Sequence, residues 1–158
     1  MAASFKSYLK AGYCCLWVNT LEMARMEQVL GKVALETKGD SPPLHWDISQ
    51  GLVNLATGAI TPCPSPVEAL KAIAKAPDGT VGFLHHFHRV IGGLEVLQTV
   101  VNIIPFLKEM GNCLVVLAPS SEKLPEELAR VFTTIEGALP TGDELHQVAS
   151  NVGEPYAV

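Results

Sequence analysis

The sequence predicts an α/β fold: a three-layer αβα sandwich around a five-stranded, mainly parallel sheet. Five short apolar runs rich in β-branched and aromatic residues read as strands. Stretches with helical spacing of apolar side chains separate them, an order that favours parallel pairing and right-handed crossovers. The chain's 158 residues, 48% of them hydrophobic and 17% charged, suffice for one folded domain but not for two.

Residues 1–12 read as a lead-in. Residues 13–19 are almost uninterruptedly apolar, as expected of a strand covered on both faces at the centre of a parallel sheet. Thr20 is the expected N-cap of a helix whose stripe, Met26, Val29, Leu30 and Val33, ends near Gly39. Pro42 and Pro43 precede a second strand, residues 44–48, placed toward a sheet edge because proline removes a ladder donor. Residues 50–64, rich in Gly, Thr, Asn and Pro, read as a loop with room for a small hairpin.

Ser65, Pro66 and Glu68 form a capping box with proline at the first helical position, and that helix stops at Pro77. Residues 80–87 are the third strand. Residues 94–104 form an apolar helix that Pro105 is expected to break or kink. Residues 113–118 are the fourth strand, and Pro125, Glu126 and Glu127 open a short helix with Arg130 near its end. Residues 132–138 are the fifth strand. Thr141 and Glu144 form a second capping box, opening a helix with Leu145, Val148 and Ala149 on one side.

A formal charge of −5 argues against a polyanionic partner, so nucleic acid is not expected. No apolar run approaches the roughly 20 residues of a membrane span, and the N-terminus lacks the pattern of a signal peptide, so a soluble cytoplasmic protein is expected. Cys14, Cys15, Cys63 and Cys113 have no metal-binding spacing and read as reduced thiols, the first two as core residues.

In open α/β sheets ligands lie beyond the carboxyl ends of the strands. The residues selected by that rule are Asn19 and Thr20, Asp47, the histidines His85, His86 and His88, and Ser120 and Ser121. A phosphate-binding loop belongs in the first turn, which reads Asn19-Thr20-Leu21-Glu22. It has neither glycine nor lysine, and Glu22 sets a negative charge where a phosphate would bind. The third strand ends in histidines instead of a magnesium-holding acid.

His86 and His88 would share a side if the strand continued, with Asp47 having to arrive from another strand. Without Cys, Asp or Glu nearby in sequence this is no complete metal site, and hydrogen bonding at the sheet's end is the stronger reading. Ser120 and Ser121 lack a nucleophile elbow and read as turn residues. Asp47 is read as capping a turn before it is read as a ligand contact, and Trp17 and Trp46 as packing residues. The candidate ligand contacts are therefore Asn19, Thr20, Asp47, His86 and His88, with no catalytic residue and no metal assigned.

Several phrases resemble the N-terminal domain of non-classical AAA-type ATPases, a bacterial, archaeal and chloroplast-encoded group with a degenerate ATPase-like domain before an intact one. They are Trp17-Val18-Asn19-Thr20 with Glu22 and Arg25, Trp46-Asp47-Ile48 with Gly51-Leu52, and Phe87-His88-Arg89. Pro119, Leu124-Pro125, Glu127-Leu128, Leu139-Pro140 and Glu144-Leu145 continue the series in order. The resemblance covers about residues 10 to 150. It implies a P-loop NTPase-like core over residues 13–140 with strand order 5-1-4-3-2, and the start of a lid-like helix over residues 141–158. His86 departs from the aspartate usual before Phe-His-Arg, which weakens any residual metal role.

In such proteins the nucleotide-binding loop belongs to the second domain. No cofactor is therefore expected for this chain, while ATP and Mg are implied for a downstream domain, and the chain reads as a truncated or shortened form. The expected function is a non-catalytic regulatory or assembly module whose partner is a protein, a neighbouring AAA-type domain or a second copy. The alternative is a nucleotide- or metal-binding protein or enzyme using the strand-end cleft through Asp47, His86 and His88.

Overall fold

A computed structural model describes residues 1–38 and 41–137. The elements run α1 (Ala2–Lys10), β1 (Cys15–Asn19), α2 (Met23–Lys38), β2 (Leu44–Asp47), β3 (Gly51–Asn54), β4 (Ile60–Thr61), α3 (Pro66–Lys75), β5 (Val81–His85), α4 (Leu94–Met110), β6 (Cys113–Ala118) and β7 (Thr133–Glu136). Short 3₁₀ turns follow β5, at Phe87–Arg89, and β6, at Glu126–Leu128. The expected helix from Thr141 lies outside the described residues.

The sheet order is β4-β3-β2-β5-β6-β1-β7. Its parallel part, β2-β5-β6-β1-β7, is the expected 5-1-4-3-2 order. The region read as a loop adds the antiparallel β3 and β4 at the β2 edge, making seven strands instead of five. Gly51 permits this hairpin: its φ is +91°, and a Cβ there would collide with the Thr61 carbonyl.

Alternating strand residues feed two cores, as period-two geometry requires. Leu16, Val18, Phe83 and Val115 pack with Phe5 of α1 and with Met26 and Leu30 of α2. Trp17, Leu84 and Val116 pack with Leu70 and Ile73 of α3 and with Val100 and Leu107 of α4. Most of the lead-in is thus helix α1, whose Phe5 and Leu9 are completely buried. Their i, i+4 spacing puts both on one face.

Ser65 caps α3 as expected, its Oγ accepting the Glu68 N–H at 3.3 Å. Helix α4 does not stop at Pro105 but continues to Met110. Pro105 and Val101, four residues before it, are both exposed, so the carbonyl that loses its donor faces water. Trp17 and Trp46 are core residues whose Nε1–H groups reach the carbonyls of Ser120 and Cys63. All four cysteines are buried free thiols.

Candidate functional site

Two groups of side chains stand at the carboxyl end of the sheet. The first surrounds the exit of β1. Thr20 N–H donates to the Ala118 carbonyl at 2.7 Å, and Gly137 N–H to the Asn19 carbonyl at 2.8 Å, tying the ends of β1, β6 and β7 together. Thr20 Oγ1 accepts the Glu22 N–H at 3.1 Å and so closes the turn before α2, while the Glu22 carbonyl receives the Met26 N–H. Thr20 therefore caps the turn, and Glu22 itself stands at the mouth of the helix.

An open cleft of about 320 Å³ lies here, lined among others by Asn19, Thr20, Leu21, Glu22 and Glu136. Asn19 Nδ2 donates to Glu136 Oε1 at 2.9 Å, and its buried Oδ1 has no hydrogen-bond partner among the described residues. The volume is at the small end for a ligand cleft. Its two carboxylates favour a cation or a hydrogen-bond donor over a triphosphate.

The second group is a chain of alternating carboxylates and imidazoles under α2. His45 and Asp47 alternate along β2 onto the α2 face, and the β2–β5 register sets His45 beside Phe83, two residues before His85. Glu27, on the buried side of α2, reaches down to both rings. Its Oε2 lies 2.7 Å from His45 Nδ1 and 2.7 Å from His85 Nε2, and His45 Nε2 lies 2.6 Å from Asp47 Oδ2. The side chains of Glu27, His45 and His85 are only 10–11% exposed.

Because both nitrogens of His45 face carboxylate oxygens, both bonds form only when the ring carries two protons. Burial alone would push His45 down, but hydrogen bonds and charge from Glu27 and Asp47 outweigh it and raise its pKa. Burial would raise Glu27, yet the hydrogen bonds from His45 and His85 hold it below the ordinary carboxylate value. Asp47 is also lowered, against a burial effect, by His45 and by the backbone N–H groups of Gln50 and Ser49.

Of the candidate contacts, Asn19 and Thr20 line the β1 cleft. The His86 and His88 rings lie 6.0 Å apart, and neither they nor Asp47 belong to a cluster of three converging metal-ligating groups among the described residues. β5 ends at His85, His86 adopts a left-handed φ of 56°, and His88 falls in the 3₁₀ turn. Asp47 is committed to His45, Ser49 and Gln50. Among the described residues, only Glu27, His45 and His85 bring metal-ligating atoms within 4.8 Å of one another. Glu27 and His45 were not legible as site residues by strand-end position. The available signal was a charged residue on the apolar arc of α2 and an imidazole between Leu44 and Trp46 in a buried strand.

The strand order and the helices on both faces of the sheet define a P-loop NTPase-like fold. RuvB from Thermotoga maritima, a point variant, superposes with a TM-score of 0.56 at 16% identity over 96% of this chain and 49% of that one. Residues 1–137 match the SpoVK-like AAA ATPase N-terminal domain, and the chain belongs to that family. Relatives include the AAA domain-containing protein ycf46 of Guillardia theta, 26% identical over 95% of this chain and 30% of the relative. The ycf46 protein of Trieres chinensis is 24% identical over 88% of this chain and 28% of the relative. The chain thus spans under a third of the length of these relatives.

Proposed function

We propose that this domain is a non-catalytic regulatory or assembly module of an AAA-type ATPase. The observation that supports it most is the β1–α2 turn. At the position where a P-loop NTPase-like core receives phosphates, the chain sets Glu22 at the mouth of α2, and Thr20 Oγ1 already holds the Glu22 N–H. No glycine in that turn lets backbone amides approach an anion, and Glu136 adds a second carboxylate to the cleft. In this reading ATP and Mg²⁺ act in an AAA domain elsewhere in a longer protein, and this domain's partner is that domain or another copy, in the cytoplasm.

Isothermal titration of the 158-residue chain with Mg-ATP and with ADP tests the site. The expected result is no saturable heat; micromolar binding that Glu22→Ala alters would overturn the reading. In a longer protein that joins residues 1–137 to an AAA domain, removing them should change the ATPase rate or the assembly state. No change in either would overturn the regulatory role.

A further inference from the structure

We propose that Glu27, His45 and His85 form a binding site for a divalent transition-metal ion of the zinc class, with Asp47 orienting the His45 ring. The site is separate from the β1 cleft: β6 lies between β5 and β1, so the two are two strand spacings apart, about 10 Å.

Three donor atoms from three different elements meet here: Glu27 Oε2 from α2, His45 Nδ1 from β2 and His85 Nε2 from β5. They lie within 4.8 Å of one another, and both imidazole nitrogens approach the same carboxylate oxygen at 2.7 Å. In a tetrahedral zinc site with bonds of about 2.0 to 2.1 Å, donors are about 3.3 Å apart, so each contact must open by only about 0.6 Å.

The hydrogen-bond pattern supports the same conclusion. Without a metal, His45 needs a proton on each nitrogen to satisfy Glu27 and Asp47 together. With a metal, Nδ1 gives its lone pair to the ion while Nε2–H still donates to Asp47, the carboxylate–histidine–metal arrangement that fixes ring orientation. A divalent ion also balances the two carboxylates. Two imidazoles with one carboxylate select a borderline metal over Mg²⁺ or Ca²⁺, which prefer all-oxygen shells. The buried cysteines are not among these donors. Three protein donors leave a four-coordinate ion of this class one further position, which water or another donor would fill.

The test uses the 158-residue chain freed of metal by chelation, titrated with Zn²⁺ against a chromophoric competitor, with Mg²⁺ as control. One equivalent should bind, shift the ring resonances of His45 and His85 but not those of His86 and His88, and raise the melting temperature. Co²⁺ should give the visible absorption of a low-symmetry site. Glu27→Gln and His85→Gln, each confirmed as folded by circular dichroism, should weaken binding at least tenfold. Asp47→Asn should weaken it about tenfold to a hundredfold. Absence of saturable one-to-one binding overturns the site, as does binding that both ligand variants retain. If the variants do not fold, the ring resonances of the unsubstituted chain decide: shifts elsewhere, or none, overturn it. Unchanged affinity in Asp47→Asn overturns the positioning role alone.

Discussion

Glu27 Oε2 lies 2.7 Å from His85 Nε2, joining the second helix to the end of the central strand β5 across 58 positions of sequence. The same oxygen faces His45. Removing this carboxylate leaves two nearly buried imidazoles without their shared acceptor, which is more damaging than never having built the network. Glu27→Ala should lower unfolding free energy by about 3 kcal/mol, and Glu27→Gln, which keeps one acceptor oxygen, by less. Urea denaturation in the presence of chelator measures both. Equal stability of Glu27→Ala and the parent chain would show that the network contributes nothing to folding.

The contrast between this network and the sheet explains what the sequence discloses. Residues 15–18, 81–84 and 113–118 are buried on both faces, so each is an apolar run visible without knowledge of its neighbours. The strand order came from the family resemblance, because periodicity carries no information on which strand lies beside which. The Glu27, His45 and His85 group is of the same non-local kind: each residue looks ordinary in its own segment, and only the β2–β5 register under α2 brings them together. Helix α1 was hidden for a different reason. Its apolar contribution rests on two positions, Phe5 and Leu9, among lysines and serines. Helix α4 runs on through Pro105, where a break or kink is expected, with the proline and the residue four before it both on the exposed side of the helix.

Asn112 gives a second test of polar burial. It is 1% exposed, accepts the Thr80 N–H at 2.8 Å, and donates to the carbonyls of Ile73 and Ala76, each at 3.0 Å. One side chain thereby satisfies the end of α3 and the entry to β5. Asn112→Ala should cost about 2 kcal/mol, since the carbonyls of Ile73 and Ala76 lose this donor, although the Ile73 carbonyl keeps the Ala76 N–H at 3.2 Å. Amide exchange at Thr80 should accelerate together with the loss of stability. Exchange that remains at the parent rate would mean that the Pro77 carbonyl, 3.2 Å from the same N–H, is a sufficient partner.

Gly82 sets how closely α3 approaches the sheet. A Cβ at this position would lie 2.5 Å from Ile73 Cδ1 and 2.9 Å from Ile73 Cγ1. All of the crowding comes from one side chain, so the cost of Gly82→Ala, about 1 to 3 kcal/mol, should be partly relieved by shortening that side chain. In a double-mutant cycle with Ile73→Val, thermal unfolding should give a smaller penalty than the sum of the two single changes. Simple additivity would place the strain elsewhere.

His88 predicts a pH dependence of opposite sign to that of His45. Burial, followed by the positive charges of Arg89, His86 and Lys123, lowers its pKa, and its buried Nδ1 has no hydrogen-bond partner among the described residues. Below the ordinary imidazole value of about 6.5 the unfolded chain takes up a proton that the folded chain still refuses. His88 therefore contributes to stability above that value, and its contribution is lost as pH falls from there through its lower folded pKa. Replacing the ring with a side chain that does not titrate, as in His88→Gln, should flatten the decline in melting temperature between about pH 6.5 and pH 5 while changing little near pH 8. A parallel decline in the parent and the variant would exclude His88 as its source.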